Sequence, residues 1–196
     1  MLLNLQHNAR GGIISLGDIN VGTTNERTEI TEVRKIDFND EEAIEREIEQ
    51  FTNAYANDSV ENALVISPTG NVYILRGNEE TVNPSIISRN ELKGSIVVHN
   101  HPPDWEDSFS RMDFTAFFKY KLSRQEVISG NLHNTMRYNG STISADKAWE
   151  LYNEAFNEIR QAAKMIQTHV GEQEQLQIMR QLSKTMKGLI FNENTR

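Results

Sequence analysis

The sequence predicts an α/β (α+β) protein in which helices flank a sheet. Apolar residues recur every three to four positions from Asp40 onward, and short apolar or alternating runs follow at 63–66 and 72–75. A further apolar run leads into an aromatic helix, after which two more strand-like runs complete the pattern. This order of helix, strands, helix and strands is typical of a sheet with helices packed against it.

Length and composition restrict the possible classes of protein. The chain has 196 residues, of which 37% are hydrophobic, so we expect one domain with extensions. No apolar run approaches the roughly 20 residues of a membrane span, and the N-terminus lacks a signal-like segment, which together predict a cytoplasmic protein with no membrane partner. The formal net charge of −8, with scattered basic residues, argues against nucleic acid as a direct partner.

Changes of pattern divide the chain into three parts. Residues 1–36 form an N-terminal extension with a strand or hairpin at 28–36, and residues 37–143 form the central domain. Residues 144–196 form a helical extension, predicted as a hairpin of two helices broken at Gly171 and frayed from Asn192 onward. The second helix carries an apolar stripe suited to packing or to self-association into a homo-oligomer, made by Leu176, Met179, Leu182 and Met186.

The central domain begins with a helix and a hairpin. The helix runs from about Asp40 to about Asn57, with Asn39 or Asp40 as its N-cap. The runs 63–66 and 72–75 then read as a β-hairpin. Glu61 stands at the entry to its first strand, where a carboxylate can face a site while its neighbours enter the core.

Two histidines at the end of an apolar strand form a candidate chelating pair. His99 and His101 follow the run 95–98, and the alternation of side chains along a strand puts both imidazoles on one side. Pro102 and Pro103 stiffen the exit by fixing φ. Because the chain has no cysteine, a metal must be held by His, Asp or Glu.

A third ligand would complete a catalytic tripod. The candidate is Asp113, at the start of an aromatic helix predicted over 113–122, because a strand end and a helix start can converge across a loop. Asp107 and Asp104 are the alternatives. Three protein ligands leave a fourth position open on zinc, where water becomes acidic enough to ionise near neutral pH, and Glu61 is the candidate base beside it.

These residues resemble the signature of the JAB1/MPN/Mov34 (JAMM) metalloprotease family. The signature consists of Glu61, an HxHP stretch at 99–102 and an SxxD stretch at 110–113, and the resemblance covers about 59–138. The ENALVI and HNHPP segments look like those of prokaryotic and phage JAB domains. The resemblance implies a cytidine deaminase-like, three-layer sandwich around a mixed, curved sheet.

The resemblance also implies a role for each site residue. His99, His101 and Asp113 become the ligands of one Zn²⁺ per chain, Glu61 the acid/base, and Ser110 a donor to the developing oxyanion. The family usually leaves ten residues between the second histidine and the aspartate, whereas this chain has eleven. Ser108 is therefore kept as an alternative for the serine role.

The implied activity is hydrolysis of an amide bond in a peptide or ubiquitin-like protein. Two alternatives stay open: a JAB/MPN-like module that binds or assembles without catalysis, and a protein similar to the DNA-repair-associated RadC branch. Trp105 and Phe109, between the ligands, are expected either to contact substrate or to anchor their loop. The other histidines are expected to be structural or exposed, and they are His7, His133 and His169.

Overall fold

The computed structural model describes residues 28–103, 108–165 and 174–195. Within these ranges the chain forms one seven-stranded mixed sheet and five α-helices. The strands are Glu29–Lys35 (β1), Asn62–Ile66 (β2), Asn71–Arg76 (β3), Ile96–His101 (β4), Arg124–Ser129 (β5), Leu132–Tyr138 (β6) and Leu189–Thr195 (β7). The helices are Glu41–Tyr55 (α1), Arg89–Leu92 (α2), Arg111–Tyr120 (α3), Ala145–Met165 (α4) and Glu174–Thr185 (α5), with a short 3₁₀ helix at Pro84–Ile86.

The strand order places β4 in the middle of the sheet. The order is β1-β3-β2-β4-β5-β6-β7, in which β4 and β5 pair parallel and the other neighbours pair antiparallel. A parallel pair needs a crossover connection, and α3 supplies it between β4 and β5. The end of the central strand and the start of the crossover helix therefore follow each other closely in the chain.

Helix α1 covers one face of the sheet. Its predicted start is confirmed, because the Asp40 carboxylate accepts a hydrogen bond from the Ala43 amide at 3.0 Å as the N-cap. Its buried stripe, with Ile48 and Phe51, packs with the side chains of β2–β5 that point to the same face, among them Val98. This buried side is one of the two cores of the protein.

Helices α3, α4 and α5 cover the opposite face. Their aromatic and aliphatic side chains, including Phe114, Tyr152 and Met179, pack with Val97 and Val127 of the sheet. Val97 and Val98 are neighbours in β4 but belong to different cores, as strand alternation requires. The sheet therefore has a helical layer on each side.

The edge strands come from the two predicted extensions. The strand expected at 28–36 is confirmed as β1, which pairs with β3, while residues 1–27 lie outside the described part. The prediction that the chain frays from Asn192 is wrong for 192–195, because these residues belong to β7 and pair with β6. The polar side chains at this end of β7 do not form a pattern that predicts a strand. The strand is stabilised instead by pairing with β6, which is distant in the chain.

The C-terminal helices agree with the predicted hairpin within a few residues, although residues 166–173 between them lie outside the described part. The predicted stripe on α5 is largely buried: Met179 and Leu182 belong to the core under α3, Met186 packs against that core, and Leu176 is also buried. The stripe therefore packs against other parts of the same chain. Among the described helices, none combines the length and apolar character needed to cross a bilayer.

Candidate metal centre

His99 and His101 lie on the last residues of β4, buried beneath the layer formed by α3. Strand β4 extends three residues past the predicted run and includes both histidines, which are 3% and 4% exposed. They share the face of Val97, as alternation predicts, and their Nε2 atoms are 3.2 Å apart. Two imidazole nitrogens this close can bind the same ion.

Asp113 approaches both histidines from the first turn of α3. Its Oδ1 lies 3.3 Å from His99 Nε2, and its Oδ2 lies 3.7 Å from His101 Nε2. The three ligand atoms all lie within 4.8 Å of one another, and no other group of three such ligands was found in the described ranges. The structure thus brings together the three residues that the sequence singled out.

Ser110 fixes the carboxylate of Asp113. Helix α3 begins at Arg111, two residues earlier than predicted, with Ser110 as the N-cap. The Ser110 amide and hydroxyl both donate to Asp113 Oδ2, at 2.8 and 2.6 Å, and Ser110 Oγ accepts from the Asp113 amide at 3.1 Å. This capping box fixes the orientation of the Asp113 carboxylate, and the Ser110 hydroxyl donates its proton to that carboxylate.

The charge of Asp113 is stabilised by its surroundings. Burial raises the pKa of this carboxyl, but the nearby imidazoles of His99 and His101, through charge and hydrogen bonds, hold the pKa well below its usual range. The first turn of a helix also favours a negative charge. Asp113 is therefore an anion at neutral pH, as a metal ligand must be.

Glu61 lies directly before β2, 9% exposed, on the same face as the histidines. Its Oε2 accepts a hydrogen bond from the Val82 amide at 3.0 Å. Burial raises the pKa of Glu61 to about 6, while His101 and His99 lower it and Asp113 raises it. The carboxylate is thus within electrostatic reach of all three candidate ligands. Sequence reasoning missed Val82, which is distant in the chain and leaves no local signal.

Phe109 forms one wall of the centre. Its ring is fully buried, 6.5 Å from the His99 ring and 6.3 Å from the Phe191 ring. Of the two roles expected for Phe109, the structure therefore favours the loop anchor. Trp105 lies outside the described residues.

The alternative site residues are placed only in part. Ser108 is buried, and its hydroxyl has no hydrogen-bond partner among the described residues, whereas the Ser110 hydroxyl contacts Asp113. Asp104 and Asp107 lie outside the described residues, and so do His7 and His169. His133 Nε2 is hydrogen-bonded to Glu126 Oε2 at 2.6 Å on the face covered by α1.

The separations between the candidate ligand atoms are close to those that a zinc ion requires. Bonds of about 2.0–2.1 Å to nitrogen or oxygen imply separations of about 3.3 Å between neighbouring ligand atoms of a tetrahedron. The two Nε2 atoms are 3.2 Å apart, His99 Nε2 lies 3.3 Å from Asp113 Oδ1, and His101 Nε2 lies 3.7 Å from the other carboxylate oxygen, Oδ2. Two histidines and one carboxylate are also a donor set that catalytic zinc sites use, with the fourth position open.

Comparison of the chain with protein-family models, curated proteins and solved structures returned no match. Any functional assignment therefore rests on the residues and geometry of this centre.

Proposed function

We propose that the chain is a single-zinc peptidase or isopeptidase of the JAMM type, on a JAB1/MPN-like fold. One observation carries the proposal: His99, His101 and Asp113 each bring a ligand atom within 4.8 Å of the other two, and the buried Glu61 carboxylate is within electrostatic reach of all three. A sheet with helices on both faces is compatible with the three-layer sandwich that the family resemblance implies.

The metal and the carboxylate have complementary roles. When bound, zinc polarises the substrate carbonyl and makes water a stronger acid. Glu61 takes the proton of the attacking water and later delivers it to the leaving amine. Burial raises the pKa of Glu61 to about 6 in the metal-free protein, which brings this carboxyl closer to neutral pH than an ordinary glutamate.

Ser110 has two tasks in this proposal. Its amide holds Asp113 throughout, at 2.8 Å from Oδ2. Its hydroxyl donates to Asp113 here, and it must rotate away to donate to the carbonyl oxygen as negative charge develops there. The helix cap and the oxyanion donor would thus be two states of one side chain.

The proposed substrate is an extended peptide end, such as a ubiquitin-like tail, a protein precursor or a bacterial conjugate. Met112, 43% exposed and next to Asp113 in the first turn of α3, offers an apolar contact at the centre. The net charge of −8 opposes a nucleic-acid substrate.

Metal content tests the centre directly. We expect about one zinc per purified chain by mass spectrometry, lost in the His99→Ala, His101→Ala double variant. His133→Ala is the matched control, because this histidine is hydrogen-bonded to Glu126 on the opposite face, and the variant should keep its zinc. Absence of zinc from the wild type after reconstitution would contradict the proposal and favour a module that binds without catalysis.

The base is tested separately. Glu61→Gln should retain one zinc per chain and lose hydrolysis of a panel of peptide and isopeptide substrates, because the amide cannot take the water proton. Normal turnover by this variant would show that another group is the base.

A further inference from the structure

Asn100 lies between the two histidines on β4, but its side chain points to the opposite face of the sheet. It is fully buried and follows Val98 in the alternation that faces α1. A buried carboxamide must be hydrogen-bonded to be tolerated. Its partners are therefore informative about its role.

The carboxamide of Asn100 bonds to the segment that carries Glu61. Its Oδ1 accepts from the Asn62 amide at 2.8 Å, and its Nδ2 donates to the Val60 carbonyl at 3.0 Å. The register of β2 and β4 extends to the pair of Ala63 and His99. Beyond that pair, the Asn100 side chain takes the place of the backbone ladder.

The other edge of the same segment is also bonded. The Glu61 amide donates to the Asn78 carbonyl at 2.7 Å, and the Glu61 carbonyl accepts from the Gly77 amide at 2.8 Å. Residues 60–62 are thus held from both sides. On the side of β4, the group that bonds to this segment is the carboxamide of Asn100, the residue between the two candidate ligands.

We propose that Asn100 is a positioning residue, whose carboxamide sets the separation between Glu61 and the ligands His99 and His101. An acceptor and a donor on one planar group match the N–H and C=O that flank Glu61, whereas aspartate lacks the donor and leucine lacks both. The role in positioning a base rests on the proposed function.

Amide hydrogen exchange of the metal-free protein tests the bond network. In Asn100→Leu the Asn62 amide loses its acceptor, and we expect it to exchange at least tenfold faster, with the Leu64 amide unchanged. Ile128→Val is the matched control, since Ile128 lies opposite Asn100 in the register of β5 and faces the same core. Asn100→Ser serves if the leucine variant does not fold. Unchanged exchange of Asn62 in a folded variant would overturn the proposal.

Absorption of the cobalt-loaded protein tests the consequence at the metal. Asn100→Leu should bind one cobalt per chain, because both histidines remain. Its visible spectrum should differ from that of the wild type, as that of Glu61→Gln should, while Ile128→Val keeps the wild-type spectrum. A wild-type spectrum in Asn100→Leu, with a change only in Glu61→Gln, would overturn the positioning role.

The two measurements separate this proposal from the proposed function. A wild type that binds no cobalt would refute the metal centre itself. The exchange rates would still decide whether Asn100 fixes the backbone of Glu61, because they need no metal.

Discussion

Two clusters of histidine and carboxylate lie on opposite faces of the sheet, and their charges are balanced differently. On the face of α1, the fully buried Glu126 accepts from Arg124 and from His133, the latter at 2.6 Å, and Arg124 also binds Glu45 at 2.6 Å. On the other face, no guanidinium or ammonium contacts the candidate metal centre among the described residues.

The difference indicates which cluster suits a metal ion. A buried carboxylate needs a positive partner, and Glu126 already has a guanidinium in contact. Among the described residues, the side chains that lower the pKa of Glu61 and Asp113 are the imidazoles of His99 and His101, and imidazoles are nitrogen ligands that zinc binds. We therefore interpret the first cluster as an ion pair within the fold and the second as a site whose charge a divalent cation would complete.

The largest expected effect comes from breaking the ion-pair cluster. Glu126→Gln leaves Arg124 with only Glu45, so we expect the free energy of unfolding at pH 7 to fall by about 3 kcal/mol. Urea unfolding would measure it. A loss below about 1 kcal/mol would mean that the charge of Glu126 contributes little, and the contrast between the clusters would disappear.

Removal of the aspartate should weaken metal binding next most strongly. Asp113→Ala should raise the zinc Kd by at least about 100-fold, or about 2.7 kcal/mol, as measured by chelator competition. Glu126→Gln is the control, and its zinc affinity should match the wild type. An unchanged affinity in Asp113→Ala would transfer the ligand role to Asp107 or Asp104.

At the metal centre the corresponding substitution, Glu61→Gln, should raise the free energy of unfolding instead of lowering it. In the metal-free protein the pKa of Glu61 is about 6 against 4.5 ordinarily, so the folded state binds the proton more tightly than the unfolded state. The buried charge therefore destabilises the wild type above pH 6. Glu61→Gln should be more stable there by about 2 kcal/mol, since each pKa unit is worth about 1.4 kcal/mol.

This advantage should shrink as the pH falls from 6 to 4.5, where the wild-type carboxyl takes up its proton, and vanish at lower pH. Thermal or urea unfolding with a chelator present, between pH 4 and 8, would record it. A wild type more stable than the variant at pH 8 would refute the assignment of Glu61 as an uncompensated buried acid.

The smallest effect should come from the helix cap. Ser110→Ala removes the N-cap hydroxyl of α3, and we expect a loss of about 1 kcal/mol in the free energy of unfolding. Ser108→Ala is the matched control, because this buried hydroxyl has no hydrogen-bond partner in the described part of the chain. Equal losses in both variants would show that the cap contributes nothing specific.

Local patterns could predict much of the candidate site. Strand alternation is sufficient to place His99 and His101 on one face, and the SxxD spacing brings Asp113 to the first turn of a helix. The predicted helix start at Asp113 lies two residues after the observed start at Arg111. The same spacing is that of a capping box, in which Ser110 is the cap and the acid is the third helical residue.

Contacts between distant segments could not be predicted. The bonds from Asn100 to Val60 and Asn62 depend on the register of two strands, and the bond from Val82 to Glu61 depends on the path of a loop. Strand β7 was missed for a related reason. Its polar residues have low strand propensity, and pairing with β6 supplies the order.

The pairing pattern of the sheet has a consequence for the kinetics of folding. Strands β2 and β3, and strands β5 and β6, are hairpins whose contacts are local in the chain, whereas β7 pairs with β6 only after α4 and α5 have intervened. Closing a long loop costs more entropy, and non-local contacts slow folding. We expect the sheet to grow outward from its hairpins and central strands, with the β7 edge joining last.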